Sequence, residues 1–346
     1  MHSVKAATKN IETEIIVVDN NSYDDSCNMV KQLFPDTILI ENKENLGFSK
    51  GNNQGVAIAK GEYICILNPD TVVPEDAFSK LLEFSKTKDN LGIVGCKLID
   101  GSGKFLPESK RNIPVVKIAL QKIRGNSTNY YANHVLENDV AKVDILVGAF
   151  MFMKRAVYNA LKGFDEDYFM YGEDIDLSFK SIKSGLDNYY LGTTATIHYK
   201  GESTLKDSFY AKRFYGAMQI FYKKHFKSNM LFDVLVWLGI KLAFLLRKEP
   251  KAIIKRSRNF YAYSKENVEF LSKKLQEPFM LVNTLDEIAE DSTVVFDASS
   301  MSYKEIIFNM INLNNKKDVL FRILVNPSSF IVGSDSSNSR GEVITL

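Results

Sequence analysis

Several short stretches of this chain carry side chains that can do chemistry. Asn68-Pro69-Asp70 follows the apolar run 63–67, so a carboxylate sits where a strand should stop. A carboxylate there can meet a hard divalent cation together with phosphate oxygens. It can equally serve as a strand-end turn residue. Gly172-Glu173-Asp174-Ile175-Asp176-Leu177 places three acids within four positions, beside the aromatic run Tyr168-Phe169-Met170-Tyr171. The helix dipole alone favours acids in a first turn. Crowded acids next to aromatic rings also repel, and one of them with a raised pKa becomes a candidate base. His198 closes the extended stretch 189–198 and reads either as a structural histidine or as a metal ligand.

Two further stretches are rich in amides. Asp19-Asn20-Asn21-Ser22 ends an apolar run; its carboxylate is free either to accept hydrogen bonds from a ligand or to close an Asx turn. Asn45-Leu46-Gly47-Phe48-Ser49-Lys50-Gly51-Asn52-Asn53 opens a helical pattern. Its backbone N–H groups suit an anionic ligand, and Ser49 near the helix start suits an ordinary cap.

The elements that must position these groups follow from hydrophobic patterning. Strands are expected at 14–18, 37–40, 63–67 and from 92, with helices at 26–34, 49–59 and 74–86 between them. Apolar strands alternating with helices predict an α/β fold with a mostly parallel sheet covered on both faces. Ligands of such sheets bind at the carboxyl ends of the strands, where Asp19 and Asp70 lie. An amphipathic helix is expected over 174–183 with Gly185 at its C-cap, an extended segment over 189–198, and a helix over 209–226. Residues 126–138 read as an irregular loop on the acceptor side. From about residue 278 a small α/β unit follows, with strands at 293–296 and 321–325 and a helix at 303–311. The expected division is therefore 1–225, a linker over 226–277, and 278–346.

Bulk properties narrow the function classes. The 346 residues hold 44 Lys+Arg against 42 Asp+Glu, a balance that argues against a nucleic-acid binder held by bulk charge. Cys27, Cys65 and Cys96 form no CxxC pair, which suits free thiols in a reducing, cytoplasmic compartment. No signal peptide stands at 1–10 and no apolar run reaches the length of a membrane span. Residues 231–246 are apolar, and Arg247, Lys248, Lys251, Lys255, Arg256 and Arg258 follow them. A greasy helix beside a basic cluster can sit on the anionic inner face of a plasma membrane; the other reading is a core helix with a solvated neighbour.

Taken in order, the motifs resemble family 2 glycosyltransferases. The set is Val17-Val18-Asp19-Asn20-Asn21-Ser22, Asn45-Leu46-Gly47-Phe48, Asn68-Pro69-Asp70, Phe164-Asp165-Glu166, Tyr171 to Leu177, and His198-Tyr199-Lys200-Gly201-Glu202-Ser203. They are similar in particular to the rhamnosyltransferase-like branch that builds bacterial surface polysaccharides, over roughly residues 1–225. The resemblance implies a GT-A fold and an inverting displacement from a UDP- or dTDP-sugar onto a glycan or glycolipid. Asp19 would contact the nucleoside, and Asn45, Gly47, Asn52 and Asn68 would line the donor pocket with Gly148 and Ala149. Asp70 and His198 would hold Mg²⁺ or Mn²⁺, and Asp174 would be the base with Glu173 beside it.

The chain departs from the family pattern twice. Asn68 stands where the metal motif usually has a first acid, and residues 1–6 resemble the middle of the family's first helix, so its first strand is expected to be missing. The alternative function is therefore a catalytically impaired relative that binds glycans or a partner. A nucleotidyltransferase, which shares the sheet and the metal acid, is a third reading; the acids at 173–176 followed by His198 favour sugar transfer over it.

Overall fold

The computed structural model describes residues 1–115, 117–118, 121, 126–200, 208–226, 257–264, 269–314, 316, 318–325, 330–337 and 341–346. The basic and apolar segment expected to touch a membrane lies largely outside these residues. Among the described residues no helix is long and apolar enough to cross a membrane.

The N-terminal part begins with α1 (His2–Thr8), β1 (Ile16–Asp19), α2 (Ser26–Leu33), β2 (Ile38–Glu41) and α3 (Phe48–Ile58). Then come β3 (Tyr63–Leu67), β4 (Thr71–Val72), α4 (Ala77–Lys86) and β5 (Leu91–Ile99). The middle holds β6 (Lys110–Arg111), β7 (Val140–Lys142), β8 (Ile145–Leu146), β9 (Phe150–Lys154) and α5 (Arg155–Ala160). It closes with α6 (Glu173–Lys183), β10 (Asp187–His198) and α7 (Ser208–His225).

The α/β architecture is the expected one, but the central sheet is mixed rather than mostly parallel. Its strand order is β3-β9-β5-β10-β4, with β7 added on β10. β5 and β10 run parallel, while β9 inserts antiparallel between β3 and β5. Residues 143–152, which hold β8 and most of β9, are largely apolar, and an apolar stretch does not declare its direction. All nine residues of β5 are buried, as a central strand covered on both faces requires. Helix α4 turns Phe78, Leu81 and Ser85 inward at helical spacing.

β1 and β2 pair in parallel as a separate two-stranded sheet. Among the described residues no strand joins β1 to β3. Helix α3 covers this small sheet, and Gly55 lets it approach Val18 and Ile16 closely.

The C-terminal unit comprises β11 (Asn259–Tyr263), α8 (Glu269–Leu275), β12 (Phe279–Val282), β13 (Ser292–Asp297), α9 (Tyr303–Leu313), β14 (Leu320–Val325), β15 (Phe330–Gly333) and β16 (Glu342–Thr345). Its sheet order is β12-β11-β13-β14-β15-β16, parallel up to β14 and antiparallel beyond it. The sheet thus takes β11, the strand next to its β12 edge, from residues expected in the linker. Helix α9 has a capping box between Ser302 and Glu305 and buries Tyr303, Ile306, Ile307, Met310 and Leu313. These side chains join one core with Val72, Ile99, Ile197 and Tyr199 of the central sheet. Each fully buried large side chain contributes about 1.5–3 kcal/mol, so the two sheets are held together by a shared core.

Candidate functional site

β10 delivers His198 to Asp70. Its pairing with β5 shifts between Leu191 and Ala195, and its end then pairs with β4, His198 opposite Thr71. The Tyr199 N–H donates to the Asp70 carbonyl at 2.9 Å. His198 Nε2 lies 3.3 Å from Asp70 Oδ1, and Asn68 Nδ2 stands 3.5 Å from the same ring nitrogen. The other ring nitrogen, Nδ1, is buried without a hydrogen-bond partner among the described residues.

Asp70 Oδ1 beside His198 Nε2 offers an oxygen and a nitrogen ligand that suit a divalent cation whose remaining positions are filled by phosphate oxygens and water. Among the described residues no group of three or more His, Cys, Asp and Glu side chains gathers to hold a metal. The candidate centre is thus the Asp70–His198 pair, and Asp174 is not one of its protein ligands.

The acids of α6 have separate surroundings. Gly172, in the left-handed region at φ 85°, sets the start of the helix, and Tyr171 before it also has positive φ, 69°. A side chain at position 172 would press on Tyr168 and Ala217. Asp176 is buried against His225 Nε2 at 2.6 Å and Lys180 Nζ at 3.0 Å, which ties α6 to α7. Burial works against its charge, but His225 and Lys180 hold its carboxyl below the usual range.

Asp174 is clamped. Its Oδ2 accepts from Arg111 Nη2 at 2.6 Å and from the Gly148 N–H at 3.0 Å. Arg111 also donates to the Leu146 carbonyl at 2.7 Å. Burial opposes the guanidinium charge, yet Asp174 and Tyr130 together more than offset that. Glu173 is different. It is buried, its Oε2 has no hydrogen-bond partner among the described residues, and burial plus the neighbouring Asp174 charge push its pKa up to about 8. The raised proton affinity expected of one acid in this cluster is therefore found at Glu173.

Gly148 and Ala149 connect the two centres. The Ala149 carbonyl accepts from the Asn68 N–H at 3.0 Å, while Gly148 binds Asp174. A Cβ on Gly148 would lie 3.3 Å from Asp174 Cβ and 3.7 Å from Glu173 Oε1. Phe48 faces the same point, so the start of α3 reaches the acid pair. Gly47, at φ 84°, packs on the Phe169 carbonyl, and its own carbonyl accepts from Asn20 Nδ2 at 3.0 Å.

The rest of the amide-rich set has internal partners. Asn45 Oδ1 accepts from the Gly47 N–H, and Asn52 Nδ2 donates to the Phe48 carbonyl. Asp19 caps its own turn, with the Ser22 N–H on Oδ2 at 3.0 Å. Burial pulls its carboxyl upward, but hydrogen bonds from Ser22 outweigh that and leave it below the usual value. The structure brings Asn68, Asp70, His198, Gly148, Ala149, Glu173 and Asp174 into one connected region. Asp19 lies at the end of the separate small sheet.

Sequence reasoning missed Arg111. In Lys110-Arg111-Asn112 it reads as half of a solvated basic pair, and only the two-residue pairing of β6 with β8 buries it.

Residues 1–161 match the family model described as glycosyl transferase family 2. That match covers just under half of the chain, which over those residues is similar to family 2 glycosyltransferases. It is 25% identical over 210 residues to the N-acetylglucosaminyl-diphospho-decaprenol L-rhamnosyltransferase of Mycobacterium tuberculosis, covering 56% of this chain and 68% of that protein. It is 28% identical over 200 residues to the rhamnosyltransferase WbbL of Escherichia coli, covering 54% and 74%. Among solved structures it is similar to the mannosyltransferase PcManGT of Pyrobaculum calidifontis in complex with GDP-Man and Mn²⁺. That match has 17% identity and a TM-score of 0.44, and it covers 71% of this chain and 65% of the other. Kinship thus places the family 2 region in the transferase class, among proteins of polysaccharide and cell-wall synthesis.

Proposed function

We propose that this glycosyltransferase moves a sugar, with inversion, from a UDP- or dTDP-sugar to a hydroxyl of a glycan or lipid-linked acceptor. One observation carries the reading: Asp70–His198 and the buried Glu173–Asp174 pair are joined through Asn68, Ala149 and Gly148. Asp70 and His198 would hold Mg²⁺ or Mn²⁺. When bound, the cation neutralises charge that builds on the departing nucleotide diphosphate.

The acid pair serves as proton acceptor for the incoming hydroxyl. Arg111 and the Gly148 N–H donate to Asp174 Oδ2, and burial together with the neighbouring Asp174 raises the proton affinity of Glu173. A buried carboxyl whose pKa is pushed up to about 8, as that of Glu173 is, suits general-base work. The rhamnosyltransferases among the relatives support a deoxyhexose donor, and the decaprenol-linked acceptor named for one of them supports a lipid-linked acceptor here.

Donor turnover with a panel of UDP- and dTDP-sugars, with and without Mn²⁺, tests the reading. Metal-dependent release of nucleotide diphosphate that vanishes in Asp174→Asn is the expected result. Calorimetric donor binding with no turnover of any donor–acceptor pair would instead favour the binding-protein alternative. The membrane-surface role of residues 231–258 is tested by flotation with anionic liposomes, where recovery in the soluble fraction at low salt counts against it.

A further inference from the structure

A second cavity, of about 710 Å³, opens on the side of β6 away from Asp174. Neighbouring strand residues point to opposite faces, so Arg111 reaches Asp174 while Lys110 lines this cavity. One wall is Ile311 and Asn314 at the end of α9, where Asn314 Nδ2 donates to the Gly103 carbonyl at 2.7 Å. The cavity therefore lies on the seam between the central sheet and the C-terminal unit.

Its charge is lopsided. Lys97, Lys104 and Lys110 line it against a single carboxylate, Glu137. Lys97 Nζ is already engaged, 3.0 Å from Glu137 and 3.1 Å from Asn138 Oδ1. Lys110 is only 3% exposed and forms no ion pair among the described residues. Its Nζ donates to the Ala132 carbonyl at 3.0 Å and sits over the rings of Phe105 and Tyr190, 5.2 and 5.8 Å from their centroids. An ammonium has three donors, so the described contacts leave capacity for an anion. Burial lowers the proton affinity of this group, with Glu137 and Asp139 acting more weakly in the other direction. Lys104 is exposed at the mouth.

We propose that this cavity binds a sugar-sized organic anion through Lys104 and Lys110. The volume is that of an ordinary small-molecule site. Charge-assisted hydrogen bonds from two ammonium groups select a phosphate or carboxylate. Asn133 and Asn314 supply amide partners for hydroxyls, and Val135 and Pro107 supply apolar wall. Because Lys97 of the central sheet and the end of α9 both line the cavity, an occupant also braces the seam.

Calorimetric titration of the full chain with glucose 1-phosphate and with glucuronate, glucose being the uncharged control, tests this. The anions should bind and glucose should not. Binding should survive Asp70→Ala, which disables the candidate metal centre. It should weaken by about tenfold or more in Lys104→Met/Lys110→Met. Lys104→Met alone, at an exposed position that folding does not need, should weaken binding about threefold. Absence of binding to the wild-type chain, loss in Asp70→Ala, or unchanged affinity in the lysine variants would overturn the proposal.

Discussion

Arg111 Nη2 lies 2.6 Å from Asp174 Oδ2, and both side chains are at least nine-tenths buried. The pair is thus a buried ion pair on the wall of the candidate site. Removing one partner from such a pair leaves an uncompensated charge and costs about 3–5 kcal/mol. Arg111→Met should therefore lower unfolding stability by about that much in urea titrations. The double variant with Asp174→Asn should be more stable than the sum of the single losses. Additive losses would show that the two groups do not act together.

Glu173 gives a pH signature of definite sign. Its pKa is raised from an ordinary 4.5 to about 8 by burial and by the Asp174 charge. Between those values the folded chain holds a proton that the unfolded chain has released. Stability therefore falls as pH rises through that window. Glu173→Gln, which keeps the neutral shape, should match the wild-type melting temperature near about pH 5 and exceed it near about pH 9. In transfer assays the wild-type rate should climb toward about pH 8, and Glu173→Gln should flatten that limb. An unchanged pH profile in the variant would sink the assignment of the acid pair as proton acceptor.

The metal pair makes a separate claim. Even outer partners of metal ligands contribute about 10–100-fold to affinity, so His198→Ala should weaken Mn²⁺ binding at least about tenfold by direct titration. Asp70→Asn should do at least as much. Identical Mn²⁺ isotherms for wild type and both variants would remove these residues from any metal centre.

Much of this arrangement could be read from the chain before its fold was known, and the divisions have physical causes. The run Tyr63–Leu67 and the helix Glu173–Lys183 sit where periodicity places them, and Gly185 takes the expected left-handed turn at φ 81°. Asp70 and His198 could be paired in advance because each ends an apolar strand, and strand ends in such sheets share one edge. Arg111 could not, because its burial depends on a two-residue bridge inside a polar stretch. The direction of β9 and the membership of β11 in the C-terminal sheet also escaped, since both are settled by distant partners rather than local pattern. The amide-rich segments carried two readings, and for Asp19 the turn proved to be its described contact.

Glu75 ties the catalytic unit to the C-terminal one in a way that can be measured at single amides. It lies between β4 and α4, and its carboxylate accepts from the Tyr303 N–H at 2.7 Å and the Lys304 N–H at 2.9 Å. These are the first two N–H groups of α9, which the helix itself cannot satisfy. Lys304 Nζ adds an ion pair to Asp76 at 2.6 Å, partly solvated and so worth little. Hydrogen bonds to a charged acceptor contribute about 1.5–3 kcal/mol each, and helix N-caps about 0.5–2 kcal/mol. Glu75→Ala should therefore lose about 1–3 kcal/mol of stability. Hydrogen exchange should quicken at Tyr303 and Lys304 while Ile64 and Ile66 of β3 stay protected. Glu75→Gln, which keeps one acceptor oxygen and loses the charge, should recover part of the protection. Equal exchange at Tyr303 in wild type and Glu75→Ala would mean that α9 is held by its buried face alone.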